Sequence, residues 1–549
     1  MKYKRKIIYS LMLSSFTSIS YAQSPVRGNP VDTLPRVNIN KNQKPDINIQ
    51  QQTSPVEATK KSSIMINEFK IQGVSALDFK KVAGIFQPIT NKQITVEELI
   101  AKATEVTELY KKEGYILSFA YLPQQNFSNG VAHVVIVEGY VKDIKITGKT
   151  ANNENRIKQI LLPLTNDKPL TQKTFERVSN VLALQPGIKV NLNIAPPTTA
   201  GGATTVVADI VQKKADLTLG IEAGNPDFQA IIAATINSLT PLGDQLTVST
   251  LQPQGSKDIQ FYGLNYIVPL GSDGLIGKIN ATTYTEHPKE GSLNDFGYED
   301  RYKNKSQRLG FSLNYPIILE NKQNWFVGGG FYVNKEQQTY YPIRNDLFPD
   351  LDIKTRLSVL YLETSYAQAD EDQSRQIGFS IHKGMNILGA YQKNNIHDTS
   401  FIKFKLSANQ NFNLPNNFGL RFAGVYQYSP DNLANSEQIS FGGRYFGAAY
   451  EPGEIAGDKG WGLSSELNYS FKPNYKYVKL IQPYMAVDTS KVSFNNLSIS
   501  NSHISSATMG VRMNNETYYS LNLSVSKPIA HKPIDNESLR YYLSYTYQF

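Results

Sequence analysis

The chain has 549 residues, with 56 Lys and Arg against 47 Asp and Glu, and it contains no cysteine. The lack of cysteine excludes a disulfide scaffold, a thiolate zinc site and a cysteine nucleophile. Beyond the N-terminus no stretch approaches the roughly 18 consecutive apolar residues of a membrane-spanning helix, and 33 Tyr with 25 Phe in a largely polar chain suit a protein with one wet and one apolar face.

Residues 1–22 have the pattern of a secretory signal. Four cations at positions 2–6 precede an apolar run at 7–16, and Ser20-Tyr-Ala22 offers small residues to a signal peptidase. We predict cleavage before Gln23; an uncleaved anchor is the alternative, but the run is short for a membrane span. Without the four cations the net charge falls from +9 to +5, so we infer no binding to nucleic acid.

Residues 23–63 form a polar linker rich in Pro, Asn, Gln and Lys. No aromatic residue occurs between Ser24 and Phe69, so this segment buries too little apolar surface to order itself. We therefore predict an exported tether here.

Residues 64–140 have the pattern of a small α+β module. A short strand at 69–74 is followed by a helix that starts at Thr95, where Thr95 and Glu98 make a capping box, and the helix ends at Gly114. Two strands then follow around Asn129-Gly130. Residues 141–214 repeat this order in architecture, with a strand from Tyr140, a helix over 171–184 and strands near 189–194 and 204–211.

Several turns of the two modules have distinctive residues: Tyr-Lys-Lys-Glu-Gly-Tyr at 110–115, Leu-Pro-Gln-Gln at 122–125 and Val-Glu-Gly at 137–139 in the first module, and Pro186-Gly187 in the second. These stretches resemble the first and the second POTRA domain of TpsB transporters, which serve two-partner secretion in the bacterial outer membrane. The resemblance implies partner-binding positions at Phe69, Ile71, Tyr110, Tyr115, Pro123, Gln124 and Glu138.

From Ala215 to Phe549 apolar and polar residues alternate with period two, as in Leu217, Leu219 and Ile221. A soluble β-sandwich would show the same alternation. The secretory signal, the length of the segment and its last strand favour a membrane barrel, in which every backbone group is paired within the protein.

Resemblance to TpsB proteins extends through this segment, for example at Asn-Ser-Leu-Thr-Pro-Leu-Gly-Asp over 237–244. It implies α+β followed by all-β, with two periplasmic POTRA domains and then a sixteen-stranded transmembrane β-barrel over 215–549. The last strand carries Tyr545, Tyr547 and Phe549, which resemble the signal read by the barrel assembly machinery.

Residues 441–462 resemble the sixth, inward-folded loop of this superfamily. The resemblance implies a plug loop with functional positions at Gly443, Arg444, Gly447, Tyr450, Gly457, Asp458 and Gly460. Asp488 matches the acidic wall residue that holds this loop through an arginine, but the matching stretch here is Gly-Ala-Ala-Tyr, without arginine. What holds the loop here stays open: the candidates are Arg444 in place of the missing arginine, Tyr450, Lys459 or uncharged contacts. A glycine-rich surface loop that nothing holds is the alternative.

No zinc-protease, hydrolase or phosphate-loop motif occurs, so we expect no enzyme, metal or cofactor. The resemblance implies a Gram-negative outer-membrane pore that recognises an unfolded TpsA exoprotein through its POTRA domains and translocates it to the cell surface. Alternatives are an assembly factor of the BamA or TamA type and a passive porin.

The other partners implied are outer-membrane lipid and, during biogenesis, the barrel assembly machinery. Family members often carry an N-terminal plug helix; five prolines between positions 25 and 55 limit it here to a short helix at 31–38.

Overall fold

The computed structural model describes residues 46–49, 63–148, 153–197, 199, 201–224, 228–254, 257–288, 298–342, 351–393, 397–495, 502–530 and 538–549. The predicted signal peptide and the predicted short helix at 31–38 lie outside these ranges. Within them, no helix combines the length and the apolar character needed to cross a membrane. The first strand, β1 (Asp46–Ile49), lies in the predicted tether.

The first module contains two helices on a three-stranded sheet. Its elements are β2 (Ser63–Ile66), β3 (Glu68–Gln72), α1 (Phe79–Phe86), a 3₁₀ turn (Gln87–Ile89), β4 (Lys92–Thr95), α2 (Val96–Lys112), β5 (Phe119–Tyr121) and β6 (Val131–Val137). The sheet order is β3-β6-β5. Helix α2 begins with the predicted capping box, in which Thr95 Oγ1 accepts from the Glu98 amide at 3.2 Å and Glu98 Oε2 accepts from the Thr95 amide at 2.8 Å.

The second module has its helices on one side of a four-stranded sheet. Its elements are β7 (Tyr140–Gly148), α3 (Glu154–Leu161), α4 (Pro163–Asn166), α5 (Gln172–Ala183), β8 (Ile188–Ile194) and β9 (Ala203–Gln212). The sheet order is β1-β8-β9-β7, so β1 from the predicted tether forms one edge. The tether was predicted to lack structure because it buries little apolar surface, whereas β1 is ordered by backbone pairing with β8.

The rest of the chain is built of strands. In chain order they are β10 (Ala215–Gly224), β11 (Phe228–Asn237), β12 (Gln245–Gln254), β13 (Lys257–Leu270), β14 (Leu275–Pro288), β15 (Tyr298–Leu319), β16 (Gln323–Pro342), β17 (Leu351–Ala369), β18 (Gln373–Gly384), β19 (Tyr391–Gln392), β20 (Ile402–Asn413), β21 (Phe418–Tyr428), β22 (Ile439–Phe441), β23 (Ile455–Gly457), β24 (Lys459–Tyr469), β25 (Leu480–Ser493), β26 (Ser502–Asn514), β27 (Tyr519–Pro528) and β28 (Arg540–Gln548). Short 3₁₀ turns cover Pro415–Asn417 and Asn435–Glu437.

Sixteen of these strands form the wall of a closed antiparallel barrel, which confirms the predicted fold class. The two-residue β19 adds a short pairing on β17. Strands β22 and β23 pair with each other in a separate two-stranded sheet that is not part of the wall. Closure comes from the pairing of β10 with β28, in which Leu219 lies opposite Tyr547 and Ile221 opposite Tyr545. A β-sandwich is thereby excluded.

The barrel is apolar outside and polar inside. On β15 the side chains of Leu309, Phe311 and Leu313 are exposed, whereas Ser306 and Ser312, with the opposite parity, are buried. This distribution is the reverse of a water-soluble protein and matches a wall that contacts lipid.

The second module is fixed to the adjacent end of the barrel through α5. Arg177 donates to Asp273 Oδ1 at 2.7 Å and to the Pro316 carbonyl at 3.2 Å. The Asn321 amide donates to Glu176 at 2.9 Å. The hydrogen bond with Asp273 raises the pKa of Arg177 and holds that of Asp273 below its usual range. The turns that α5 contacts therefore mark the module end of the barrel.

Candidate functional site: a loop inside the barrel

The connection between β21 and β24, residues 429–458, is called the lumen loop here. It starts at the barrel end opposite the modules and contains most of the predicted plug loop. Its Ile439, Phe441 and Tyr450 side chains are fully buried, and they pack with Val492 and Ile504 of the wall. Such burial is typical of an internal element, so the alternative of an exposed surface loop is not supported by the structure.

The lumen loop contacts strands on different sides of the closed wall. Its first part contacts β16 and β20 through Glu437. Its second part contacts β25 and β26 through Gly447 and Ala449. Arg444 reaches β10. A segment that contacts both β16 and β10 has to cross the interior, because five wall strands separate these two on one side and nine on the other.

Glycines shape the turn at the tip of the lumen loop, between β22 and β23. Gly442 and Gly447 have φ angles of 113° and 79°, a region that other residues rarely adopt. A Cβ at Gly442 would overlap the Glu451 carbonyl oxygen. The amide of Gly443 donates to the carbonyls of Gly447 and Tyr450, both at 3.0 Å, which closes the tip on itself.

The predicted wall residue Asp488 lies directly beside the tip. Its carboxylate accepts a hydrogen bond from the Gly447 backbone amide. Next to it, the Ala449 amide donates to Ser506 Oγ at 3.1 Å, and the Tyr450 hydroxyl donates to the Ser505 carbonyl at 3.2 Å. The carboxylate thus accepts from a backbone amide, where the family resemblance implies an arginine. Only the acceptor of this hydrogen bond is charged.

Arg444, one of the candidates to replace the missing arginine, contacts a carboxylate other than Asp488. Its guanidinium lies 2.5 Å from Glu222 of β10. Two residues further along β10, Gly224 lies opposite Tyr542 of β28. Arg444 therefore holds the tip against the seam where the first and last strands of the barrel meet.

A third anchor, at Glu437, was not predicted. The Lys403 ammonium donates to the Glu437 carboxylate and, at 3.0 Å, to its carbonyl oxygen, and the Tyr332 hydroxyl donates to the carboxylate at 2.7 Å. Both charged side chains are at least 95% buried. Lys403 lies on β20 between Ile402 and Phe404, and nothing in the local sequence identifies its partner.

The remaining predicted loop residues lie where the lumen loop joins the wall. Asp458 accepts from the backbone amides of Leu433 and Asn495, both at 2.9 Å. Lys459 donates to the Asn495 side chain at 3.0 Å. Gly457 and Gly460 flank Asp458, and a Cβ on either would lie 2.6 Å from a carbonyl oxygen of β25. These residues therefore fasten the end of the loop to the wall.

In the first module, most of the predicted partner-binding residues belong to the framework. Glu138 accepts from the amides of Ser75 and Ala76 and from the Tyr110 hydroxyl, each at 2.8 Å. Burial alone would raise the pKa of Glu138, but these hydrogen bonds outweigh it and lower the pKa. Burial, together with Glu138, raises the pKa of Tyr110. The Tyr115 ring stands edge-on to Tyr110 at 5.9 Å.

The other predicted positions of this module are more accessible. Gln124 is exposed and Pro123 half-buried, and both follow β5. Phe69 and Ile71 are half-buried on β3, against the core. At the barrel seam, Tyr545, Tyr547 and Phe549 share one face, with ring centroids 6.5 and 4.6 Å apart along the series.

Comparisons with known proteins give matches in both parts of the chain. A family model described as haemolysin secretion/activation protein ShlB/FhaC/HecB matches residues 226–513, and one described as POTRA domain, ShlB-type, matches residues 64–139. The hemolysin transporter protein ShlB of Serratia marcescens is 24% identical over 419 residues, which cover 73% of this chain and 71% of ShlB.

Two solved structures share the fold. CdiB from Escherichia coli has a TM-score of 0.64 at 18% identity, covering 92% of this chain and 94% of CdiB. BamA from Haemophilus ducreyi lacking POTRA domains 1-3 has a TM-score of 0.54 at 14% identity, covering 88% and 100% of the two chains.

Proposed function

The chain belongs to the ShlB/FhaC/HecB family of haemolysin secretion/activation proteins, and we propose that it moves one partner polypeptide, unfolded, through the barrel when the lumen loop leaves the interior. Members of this family are outer-membrane transporters of two-partner secretion, with their POTRA domains in the periplasm. The partner in such a system is a TpsA exoprotein, and the lumen loop is the element that decides whether the path is open.

One observation carries the proposal: the lumen loop crosses the interior of the barrel without being part of the wall. Strand β21 pairs directly with β24 over ten residue pairs, from Phe418↔Tyr469 to Gln427↔Gly460. The wall therefore stays closed whether the loop is inside or outside. Besides its apolar packing against Val492 and Ile504, the loop is held by polar anchors at Asp488, Glu222 and Glu437, which can be broken and remade without unfolding a strand.

Recognition of the partner is assigned to the periplasmic modules. The first module presents the edge strand β5, followed by Pro123 and the exposed Gln124. An extended polypeptide can pair with such an edge through backbone hydrogen bonds. Glu138 and Tyr110 would serve this surface indirectly, because their hydrogen bonds fix the residues around them.

The similarity to BamA concerns the barrel fold, which assembly factors and secretion transporters share. The family match favours secretion over membrane-protein assembly. A passive porin is disfavoured by the buried lumen loop and by the two modules, for which a diffusion channel has no use.

The test combines conductance and export. Residues 431–457 are replaced by a short Gly-Ser linker, and residues 531–537, in the connection from β27 to β28, are deleted as a matched control. In planar bilayers we expect frequent large openings from the loop variant and mostly closed traces from the parent and the control. Equal, steady conductance from all three would contradict a gate.

For export, each form is produced in outer membranes together with the TpsA-type exoprotein of the same bacterium. The parent should release the exoprotein outside the cell, and cells lacking the transporter should retain it in the periplasm. Retention in the presence of the parent, with the barrel folded, would refute the proposed function.

A further inference from the structure

Strand β1 occupies the edge of the second module's sheet. It runs parallel to β8 in the register Asp46↔Asn191, Ile47↔Leu192, Asn48↔Asn193 and Ile49↔Ile194. On its other side β8 pairs antiparallel with β9. Without β1, the backbone of β8 would present an edge to the periplasm of the kind that accepts an extended polypeptide.

The sequences of the two paired segments are alike. Asp-Ile-Asn-Ile of β1 is in register with Asn-Leu-Asn-Ile of β8, so that each aliphatic residue has an aliphatic register partner and Asn48 has Asn193. On β8, Leu192 and Ile194 are buried while Asn193 is exposed. This edge therefore accepts a strand in which aliphatic and polar residues alternate.

We propose that β1 is a placeholder: the chain's own linker keeps the β8 edge covered until an extended segment of the exoprotein, with alternating aliphatic and polar residues, displaces it. This inference rests on the proposed function and names the docking edge and the type of segment that binds there. It also explains why a linker rich in Pro, Asn and Gln contains a strand that matches a sheet edge.

The pairing is short enough to be exchanged. β1 covers four of the seven residues of β8, which extends three residues beyond the paired stretch at its N-terminal end. A longer incoming strand can pair over that extension as well and so gains backbone hydrogen bonds that β1 does not make. Four-residue strands open readily, because few bonds hold them.

The linker also permits the movement. Residues 50–62 lie between β1 and β2 and span up to about 45 Å when extended. β1 can therefore leave and return while both modules stay folded. As a tethered competitor its effective concentration is on the order of millimolar, which keeps weakly matching peptides from the edge.

The first test locks β1 in place. Because the chain contains no cysteine, the double variant Asn48→Cys/Asn193→Cys can form one disulfide only, between positions that face each other. The matched control Lys145→Cys/Val207→Cys links β7 to β9, a parallel pair away from the β8 edge that is not expected to separate. Disulfide formation is followed by gel mobility without reductant.

We expect the locked variant to lose export of the exoprotein at least tenfold under oxidising conditions and to regain it on reduction, while the control exports like the parent. Full export by the oxidised variant would overturn the placeholder inference and leave the proposed function intact. Failure of the 48–193 pair to oxidise, where the control pair does, would also overturn it. No export by the parent would instead refute the proposed function.

The second test needs no exoprotein. A labelled synthetic peptide with the sequence of residues 44–51 is titrated into the full chain and into the variant Ile47→Pro/Asn48→Pro. Amides of adjacent strand residues point to opposite sides, so one of the two prolines removes a donor facing β8.

The control Gln51→Pro/Gln52→Pro lies beyond β1. We expect the peptide to bind the 47/48 variant at least tenfold more tightly than the parent or the control. Equal affinity for all three would contradict the inference.

Discussion

At the scale of single residues, Asp488 and Arg444, a candidate to replace the family's missing arginine, have separate partners. Asp488 accepts from the Gly447 amide, and Arg444 contacts Glu222 on another strand. Backbone donors can satisfy a buried carboxylate, because hydrogen bonds to a charged acceptor are stronger than neutral ones. The arginine is thereby available to hold the tip of the lumen loop at the seam of the barrel.

The contact between Arg444 and Glu222 predicts a specific pattern in single-channel recordings. Arg444→Ala leaves a carboxylate without its cation in a largely buried site, so we expect the open probability to rise about tenfold, equivalent to about 1.4 kcal/mol. The double variant Arg444→Ala/Glu222→Gln should open less often than Arg444→Ala alone, because a neutral amide loses less than a carboxylate when the guanidinium is absent. Additive effects of the two changes would contradict this contact, and Lys476→Ala, in an exposed periplasmic connection, serves as the control.

Glu138 predicts a pH dependence in the first module. Its pKa in the folded state lies below the ordinary value of 4.5, so its stabilising contribution is complete above about pH 4.5 and is lost as the pH falls through the folded-state value. Glu138→Gln should destabilise the module by about 1–3 kcal/mol at pH 7 and reduce the further loss of stability as the pH falls below about 4.5. Hydrogen exchange at residues 73–77 measures both effects, with Glu105→Gln as an exposed control. If Glu138→Gln loses as much stability in acid as the parent, Glu138 is not the source of the pH dependence.

At the scale of elements, local signals decided what could be predicted. Helix α2 was predicted because its cap and its apolar period lie within its own sequence. Helices α1 and α3 were missed: each has eight residues, too few for a period to stand out. Strand β1 was missed because its stability depends on β8, far along the chain.

The same distinction applies to the candidate site. The family resemblance predicts that Gly447, Tyr450 and Asp488 belong to one site, because all three lie in recognisable stretches of the sequence. The contacts of Glu437 with Lys403 and of Arg444 with Glu222 depend on the register of a closed barrel. No local pattern specifies which strand lies opposite which part of a loop.

Helix α5 is predicted to be the element that fixes the second module to the barrel. Arg177→Ala removes its bonds to Asp273 and to the Pro316 carbonyl. We expect hydrogen exchange at residues 271–274 and 315–319 to accelerate about tenfold, equivalent to about 1.4 kcal/mol. The reason is that the Asp273 carboxylate and the Pro316 carbonyl both lose the guanidinium that donates to them. The matched control is Lys173→Ala, exposed on the same helix; equal exchange in both variants would show that other α5 contacts suffice.

At the scale of the whole molecule, the barrel wall is expected to fold without the lumen loop. We expect the variant with residues 431–457 replaced by a Gly-Ser linker to keep its folded, heat-shiftable band in detergent gels, because β21 still pairs with β24. The temperature of the shift should fall by several degrees, since the polar anchors of the lumen loop are lost. A variant that never gives the folded band would mean that the loop is needed to close the barrel; deletion of 531–537 is the control.

The anchors on opposite strands have a mechanical consequence. A lumen loop fastened to β16 and β20 on one side and to β10, β25 and β26 on the other acts as a strut across a hollow cylinder. A braced cylinder resists flattening, whereas an empty one can become oval under a small load. Departure of the loop would therefore both vacate the lumen and soften its cross-section, so that one event lets the wall adapt to the bulkier stretches of a passing chain.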